Sequence, residues 1–290
     1  MANTIGTSTL SEVWRIKYFK STLEMYLRNA LVAEKVFKVD RGDGRYISNP
    51  YLTEATAAIA AIAGTYAVST MTTTDEKLTV SEQVTYGTHL YEFEQTLSRV
   101  DLYTSFVEEL STAVATKADQ YVLNKVLDGA GESYDTPSGG FATAANINEC
   151  IANLTAKVAG YKESYSNGMF LVIENTDLPG FIQAGMSNGF NFADATLNNG
   201  FAGVYGGVEI YVIRTGTFVT ATLGTLSATN SGHRLFGIKN TAVYAAPRGV
   251  QMDEKKVTLK TGREIAVWAN IGAAVWTPKA DLLVDVTLTA

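Results

Sequence analysis

Apolar positions recur at helical spacing from Leu102 onward. Leu102, Phe106, Leu110, Val114, Tyr121 and Leu127 mark one side, and Glu108, Glu109, Lys117 and Asp119 lie off it. The spacing predicts one uninterrupted helix over 98–129, about 45 Å long at 1.5 Å per residue. Ordinary globular helices run about three turns. Ser98-Arg99-Val100-Asp101 fits a capping box at its start, and Gly129 is placed to end it in the left-handed conformation.

The stretch ahead of this helix reads as extended. Thr70–Thr74 is threonine-rich, Leu78 and Val80 alternate with Thr79 and Ser81, and Tyr91 and Phe93 alternate with Glu92 and Glu94. A two-stranded excursion over 65–97, turning near Asp75-Glu76-Lys77, is expected. An isolated two-stranded ribbon is marginal in water, so it needs something to lie on. Further upstream, Leu23, Tyr26, Leu27, Ala30 and Leu31 predict a helix over 10–37, ending before Asp40-Arg41-Gly42-Asp43-Gly44. That cluster holds an Arg-Gly-Asp tripeptide and a faint likeness to a calcium loop. It lacks the acidic spacing and terminal Glu of an EF-hand, and reads as a solvated turn. The alanine-rich run Ala55–Val68 is shorter than the roughly 20 residues a membrane-spanning helix needs, and reads as a surface buried against another part or another subunit.

Beyond the long helix, Gly131–Gly140 carries Pro137, Ser138 and two terminal glycines, which marks a linker and domain boundary. Asn146-Ile147-Asn148-Glu149 repeats the capping logic. Ile147, Cys150, Ile151, Leu154 and Val158 form the stripe of a helix ending at Gly160, on which Cys150 is a small buried hydrophobe. Met169–Ile173 suits a buried strand, Asp177-Leu178-Pro179 opens a helix, and Val208, Ile210 and Val212 alternate as a strand. The final part turns β again. Strands flank Thr261-Gly262, Trp268 and Trp276 supply bulk, and Leu282–Val286 closes the chain as a last strand. Strand and helix alternate with separate β segments, so the class is α+β.

The chemistry is sparse. The formal net charge is −6 with no long basic run, which disfavours adhesion to nucleic acid over a broad basic face. One cysteine allows no intrachain disulfide, and two histidines, His89 and His233, would need carboxylates to complete a metal site. No nucleophile elbow, P-loop, zinc-protease or paired-cysteine motif occurs. The glycine-rich Gly200–Gly207 lacks the strand–GxGxxG–helix order of a dinucleotide site. No catalytic residue, cofactor or metal is expected. The sequon Asn153-Leu154-Thr155 lies mid-helix and reads as idle.

Three runs carry a resemblance: Tyr26-Leu27-Arg28-Asn29-Ala30-Leu31-Val32-Ala33-Glu34-Lys35, His89-Leu90-Tyr91-Glu92-Phe93-Glu94 and Phe170-Leu171-Val172-Ile173-Glu174-Asn175. With the order of parts, they resemble the major capsid proteins of tailed bacteriophages, which have the Hong Kong 97-like fold. The resemblance implies an N-terminal arm at 1–45, an extended loop at 46–97, a spine helix and linker at 98–139, an axial domain at 140–235 and a return to the peripheral domain at 236–290. It implies a structural protein, not an enzyme, that self-assembles as pentamers and hexamers into an icosahedral head in the virion, built in the host cytoplasm. Partners would be a separate scaffolding protein, a portal, minor capsid proteins and packaged double-stranded DNA bound without sequence specificity, with no membrane. Lys77, His89, Tyr91, Glu92, Phe93 and Glu94 would be intersubunit contacts. Where such shells cross-link, Lys77 would be the lysine, and Asn240 or Asn270 its partner. The alternatives are an encapsulin-type compartment, or a binding module or enzyme with a concave polar pocket.

Overall fold

A computed structural model describes residues 31–42, 44, 46–52, 73–90, 102–187, 201–247, 250–256 and 263–289. The helix expected upstream of Leu31, the run Ala55–Val68, the residues Tyr91, Glu92, Phe93 and Glu94, the capping box at 98–101 and the turn at Thr261-Gly262 lie outside them.

The described part of the long helix, α2, is Leu102–Leu127, 26 residues or about 39 Å. Before it come α1 (Ala33–Val36), β1 (Lys38–Asp40), β2 (Tyr46–Leu52), β3 (Thr73–Thr79) and β4 (Glu82–Leu90). After it come β5 (Glu132–Asp135), α3 (Ala144–Val158), β6 (Met169–Glu174), α4 (Leu178–Ser187), β7 (Phe201–Tyr205) and β8 (Val208–Ile213). The remaining strands are β9 (Thr220–Leu223), β10 (Leu226–Thr229), β11 (His233–Ile238), β12 (Ala242–Ala245), β13 (Val250–Lys256), β14 (Arg263–Val275) and β15 (Leu283–Thr287).

The largest sheet has the order β5-β15-β11-β6-β8-β7 and is mixed, with β5 parallel to β15 and β6 parallel to β8. Alternation sorts its side chains onto two cores. Phe170, Val172, Tyr211, Leu235 and Leu283 face the core shared with α2. Leu171, Ile173, Ile210, Phe236 and Val284 face the core shared with α3 and α4. Both faces are covered, which is why β6 reads as a continuous apolar run rather than an alternation.

The second sheet is built around β14. Residues 263–271 pair antiparallel with β4, 263–269 with β13, and 272–275 with β12, which is also joined in parallel by β1. Its inward residues Ile265, Val267, Ala269, Ile271 and Ala273 pack on the same core as α2. The helix therefore lies between two sheets. Val114, Ala115, Ala118, Tyr121, Val122, Leu123, Val126 and Leu127 are all buried, so its second half has no single apolar side. Asp119 and Asn124 are buried too, although Asp119 lies off the apolar side that the spacing marks.

Asn124 is a polar hub inside this packing. Its amide donates to the carbonyls of Gln120 (2.6 Å) and Thr217 (2.8 Å), and its side-chain oxygen accepts from Val219 N–H and from Asn230. Asn230 also donates to Asp128, and Gln120 to the Gly216 carbonyl. The loop between β8 and β9 is thus tied to the helix by backbone-directed bonds. From the other side, Glu174 accepts from the N–H groups of Gly216 and Phe218. Arg234, 4% exposed, binds Glu174 and Asp177 at 3.3 and 2.5 Å.

Several local expectations change. Asp75-Glu76-Lys77 is not a turn; it runs through the middle of β3, opposite Pro50, Asn49 and Ser48. The triplet is polar because a ribbon exposes one face, while Glu76 is half-buried and Leu78 buried. The excursion is β2 with β3, and β4 belongs to the β14 sheet instead. Gly129 does not adopt positive φ. The helix leaves through tight bonds from Gly129 and Ala130 N–H to the Val126 and Leu127 carbonyls. Glycine fits there because a Cβ would lie 3.0 Å from Val275. The linker at 131–140 contains β5, whose partner β15 lies about 150 residues away in sequence and leaves no local signal. The cap of α3 is Thr143, whose hydroxyl accepts from Asn146 N–H, while the Asn146 amide donates to the Ser138 and Gly140 carbonyls. Residues 236–290 divide: β12 to β14 build the second sheet, whereas β15 sits inside the six-stranded one.

Leu123→Ala, at a fully buried site between the sheets, is expected to cost about 2–5 kcal/mol in chemical denaturation. Lys117→Ala, on the exposed strip of the same helix, should stay within about 0.5 kcal/mol.

Candidate assembly surfaces

The β2–β3 ribbon is joined to the body at its base. Leu78, Val243, Ala245 and Trp276 form a small separate core, with Ile47, Val80 and Ala274 against it. Glu76 accepts from the Thr277 N–H at 3.0 Å, Tyr51 reaches Glu76, and Ser48 donates to Asp75. Outside these contacts the ribbon is open. Tyr46 is 60% exposed, and Ser48, Pro50, Thr73, Thr74, Asp75 and Lys77 are exposed. One face carries Ile47, Asn49, Tyr51, Glu76 and Leu78, and the other exposes Tyr46, Ser48, Pro50, Thr73, Asp75 and Lys77.

Of the sequence-predicted contact residues, Lys77 and His89 are described, and they lie in different strands. Lys77 lies opposite Ser48, near the base of the ribbon rather than at a tip, 3.9 Å from Asp75. His89 lies in β4 opposite Glu264. Tyr91, Glu92, Phe93 and Glu94 fall outside the described residues. Asn240 takes a left-handed turn (φ 62°), and Asn270 faces Gln83 within the second sheet.

A second open surface lies on the six-stranded half of the molecule. Met186 is 78% exposed, with Ile182 one turn before it on α4, and Val204 is exposed on the edge strand β7. Gly200–Gly207 is no phosphate loop. Gly206 and Gly207, both at positive φ, form the two-residue turn between β7 and β8. A bulge between Phe201 and Gly203, which leaves Ala202 out of the register, interrupts the edge strand.

Chemistry is muted among the described residues. Cys150 is free and fully buried beside Tyr134, and burial raises its thiol pKa. No three His, Cys, Asp or Glu side chains among the described residues are placed to hold a metal. A depression of about 540 Å³ is lined by Gly139, Gly140, Phe141, Pro179, Gly180 and Gln183 among others. Its one acid, Asp177, is already engaged by Arg234 and the Glu174 N–H. The Asn124 hub, Asp119 and Arg234 were missed in the sequence, though a lone Asn within Val122-Leu123-Asn124-Lys125-Val126-Leu127 was a readable signal.

No protein-family model and no curated protein matches the chain. Solved structures do. The capsid of cyanophage P-SCSP1u aligns over 90% of this chain and 89% of its own, at 12% identity and a TM-score of 0.65. The capsid of an empty GTA particle aligns over 91% of each chain, at 13% identity and a TM-score of 0.63. The virus-like particle from Pyrococcus furiosus aligns over 94% of this chain and 99% of its own, at 11% identity and a TM-score of 0.61. The chain has the Hong Kong 97-like fold of these shells.

Trp276→Ala should loosen the ribbon base without disturbing the six-stranded sheet. Limited proteolysis is expected to cut faster within 46–79, while fragments spanning 132–238 stay resistant; uniform acceleration across the chain would contradict the separate small core.

Proposed function

We propose that this chain is a structural shell protein whose copies assemble into an icosahedral, phage-type head around double-stranded DNA. The observation that carries the reading is the ribbon. It is anchored by a four-residue core at its base and presents open faces beyond it, on a fold seen in capsid structures. A two-stranded ribbon of this kind gains stability when its free surface is covered, and the adjacent copy in a shell covers it. Many such contacts per subunit add up through effective concentration, so no single contact need be strong.

In this reading the arm ends near β1, β2 and β3 form the extended loop, α2 is the spine, and the β14 sheet is the peripheral domain. The six-stranded sheet with α3 and α4 is the axial domain, completed by β15. Pentamers and hexamers meet through the axial domains, where Ile182, Met186 and Val204 lie open. A scaffolding protein, a portal and minor capsid proteins complete the head in the host cytoplasm, and the acidic chain contains DNA without clamping it. A second reading, an encapsulin-type compartment holding protein cargo, draws support from the almost complete overlap with the Pyrococcus furiosus virus-like particle.

Expression with and without a scaffolding protein, followed by size exclusion and negative-stain microscopy, is expected to give closed shells. A persistent monomer would refute the reading. Nuclease-protected DNA in the particles supports the phage head, whereas protein cargo supports the compartment. Removing residues 50–75 and joining Asn49 to Glu76 through two glycines keeps Ile47 and Leu78 in the ribbon base. The variant should fold but fail to close shells; normal shells would overturn the ribbon's role.

A further inference from the structure

The strand β6 is entered through an asparagine–glycine pair, Asn167-Gly168, which plays no part in the assembly surfaces. Ahead of it lies the short 3-10 turn Lys162–Tyr165, with the Ser166 and Asn167 N–H groups both donating to the Glu163 carbonyl. The Asn167 side-chain amide has no hydrogen-bond partner among the described residues, and neither has the Gly168 N–H. The Gly168 carbonyl is fixed, accepting from the Lys239 N–H at 2.9 Å. On either side of this glycine stand Lys239, just past the end of β11, and Glu209 of β8. Their side chains meet across it, with Lys239 Nζ 2.5 Å from Glu209 Oε2. The Tyr211 hydroxyl donates to the same oxygen at 2.8 Å, and Lys239 also donates to that hydroxyl at 3.0 Å. Both partners therefore hold Oε2. Oε1 has no partner among the described residues, and it lies 3.5 Å from where a Gly168 side chain would begin. Asn167 is half-buried and Gly168 exposed, so water reaches the pair.

We propose that Asn167 and Gly168 form a self-modifying site at which the asparagine deamidates, with Glu209 as the base. The Gly168 backbone nitrogen attacks Asn167 Cγ, and Glu209 Oε1 takes the amide proton. The new N–C bond closes a five-membered succinimide, and the bond from Cγ to the side-chain nitrogen breaks. The proton passes from Glu209 to the departing NH2 group, which leaves as ammonia. Water then opens the ring. Opening at Cγ gives aspartate, and opening at the backbone carbonyl carbon gives isoaspartate; nothing is oxidised or reduced. Nucleophile and electrophile belong to adjacent residues, so the attack is intramolecular. Glycine has no Cβ to shield its nitrogen or to restrict the backbone rotation that the attack needs. Neither reacting group has to give up a hydrogen bond first. Lys239 and Tyr211 hold the carboxylate beside Gly168 by its other oxygen, and a base acts only when it is positioned near the proton it abstracts. Either product adds one negative charge close to the Lys239–Glu209 pair, and isoaspartate lengthens the main chain leading into β6 by one carbon. The site concerns the subunit alone and does not rest on the shell reading.

The test is mass spectrometry of the full-length chain held folded at neutral pH and 37 °C. Chymotryptic cleavage after Tyr165 and Phe170 releases Ser166–Phe170, which separates Asn167 from Asn188-Gly189 and Asn199-Gly200, two pairs outside the described residues. In the native chain this peptide is expected to gain one dalton with time and to split into aspartate and isoaspartate forms. Glu209→Gln, which keeps the side chain's shape and an acceptor for Lys239, should slow the gain by at least about tenfold, as loss of a positioned base does. In guanidinium chloride the two chains should convert at one rate, because the base is no longer held beside the glycine. Gly168→Ala should suppress the gain over the same interval; its Cβ would make only ordinary contacts, at 3.5 Å or more, so the variant folds. A native peptide that keeps its original mass overturns the site. A folded Glu209→Gln chain that converts as fast as the native one overturns the assignment of its base.

Discussion

The long helix α2 must be buried on opposite sides at once, and the rest of the architecture follows from that constraint. Its second half meets the β14 sheet on one flank and the six-stranded sheet on the other, with Val122, Leu123 and Val126 fully enclosed. A helix in that position cannot be amphipathic in the usual way. Its polar residues have to find partners inside. Asn124 does so by holding the backbone of the loop at 217–219, and Asp119 by holding the first N–H groups of α1. Breaking one side of such a pair leaves buried donors or acceptors unmet, at about 1–3 kcal/mol each. The helix is therefore both the strut between the sheets and the point where loop and arm are fastened.

What was legible in the sequence was what depends on local period. The long helix, the stripe of α3 from Ile147 to Val158, the buried strand at 169–174 and the helix after Asp177 all appear where their spacing predicts them. What was illegible depends on partners distant in the chain. β5 was read as a linker because four residues pairing in parallel with β15 carry no local signal. Asp75-Glu76-Lys77 was read as a turn because charge marks solvent exposure, and a strand in a ribbon is exposed without turning. The Thr143 cap was displaced by three residues because Asn146 is an equally good capping residue and is used elsewhere, on the Ser138 and Gly140 carbonyls.

The candidate site divides along the same line. The extended character of the segment before the spine was readable, and with it the need for a covering surface. The residues that set the ribbon's position were not, because Leu78, Val243, Ala245 and Trp276 come together from three separate stretches. The base also separates two roles that a continuous β stretch would blur. β4 is committed to the β14 sheet over nine register pairs, whereas β2 and β3 pair only with each other. Among the described strands of this stretch, β2 and β3 alone have no place in either large sheet.

That division explains how a chain with so little chemistry can be highly specified. The two large cores and the polar hub define the folded body, and the open surfaces among the described residues differ in kind. The ribbon exposes Tyr46, Ser48, Asp75 and Lys77, and α4 exposes the apolar pair Ile182 and Met186 beside the bulged edge strand β7. The bulge matters because a regular exposed edge would pair with any free strand. Interrupting β7 between Phe201 and Gly203 discourages that indiscriminate pairing while leaving Val204 and Met186 exposed for side-chain packing. Under the shell reading proposed above, a subunit that meets its own copies in only a few orientations uses this combination: edges that refuse strands, and faces that accept a shaped partner.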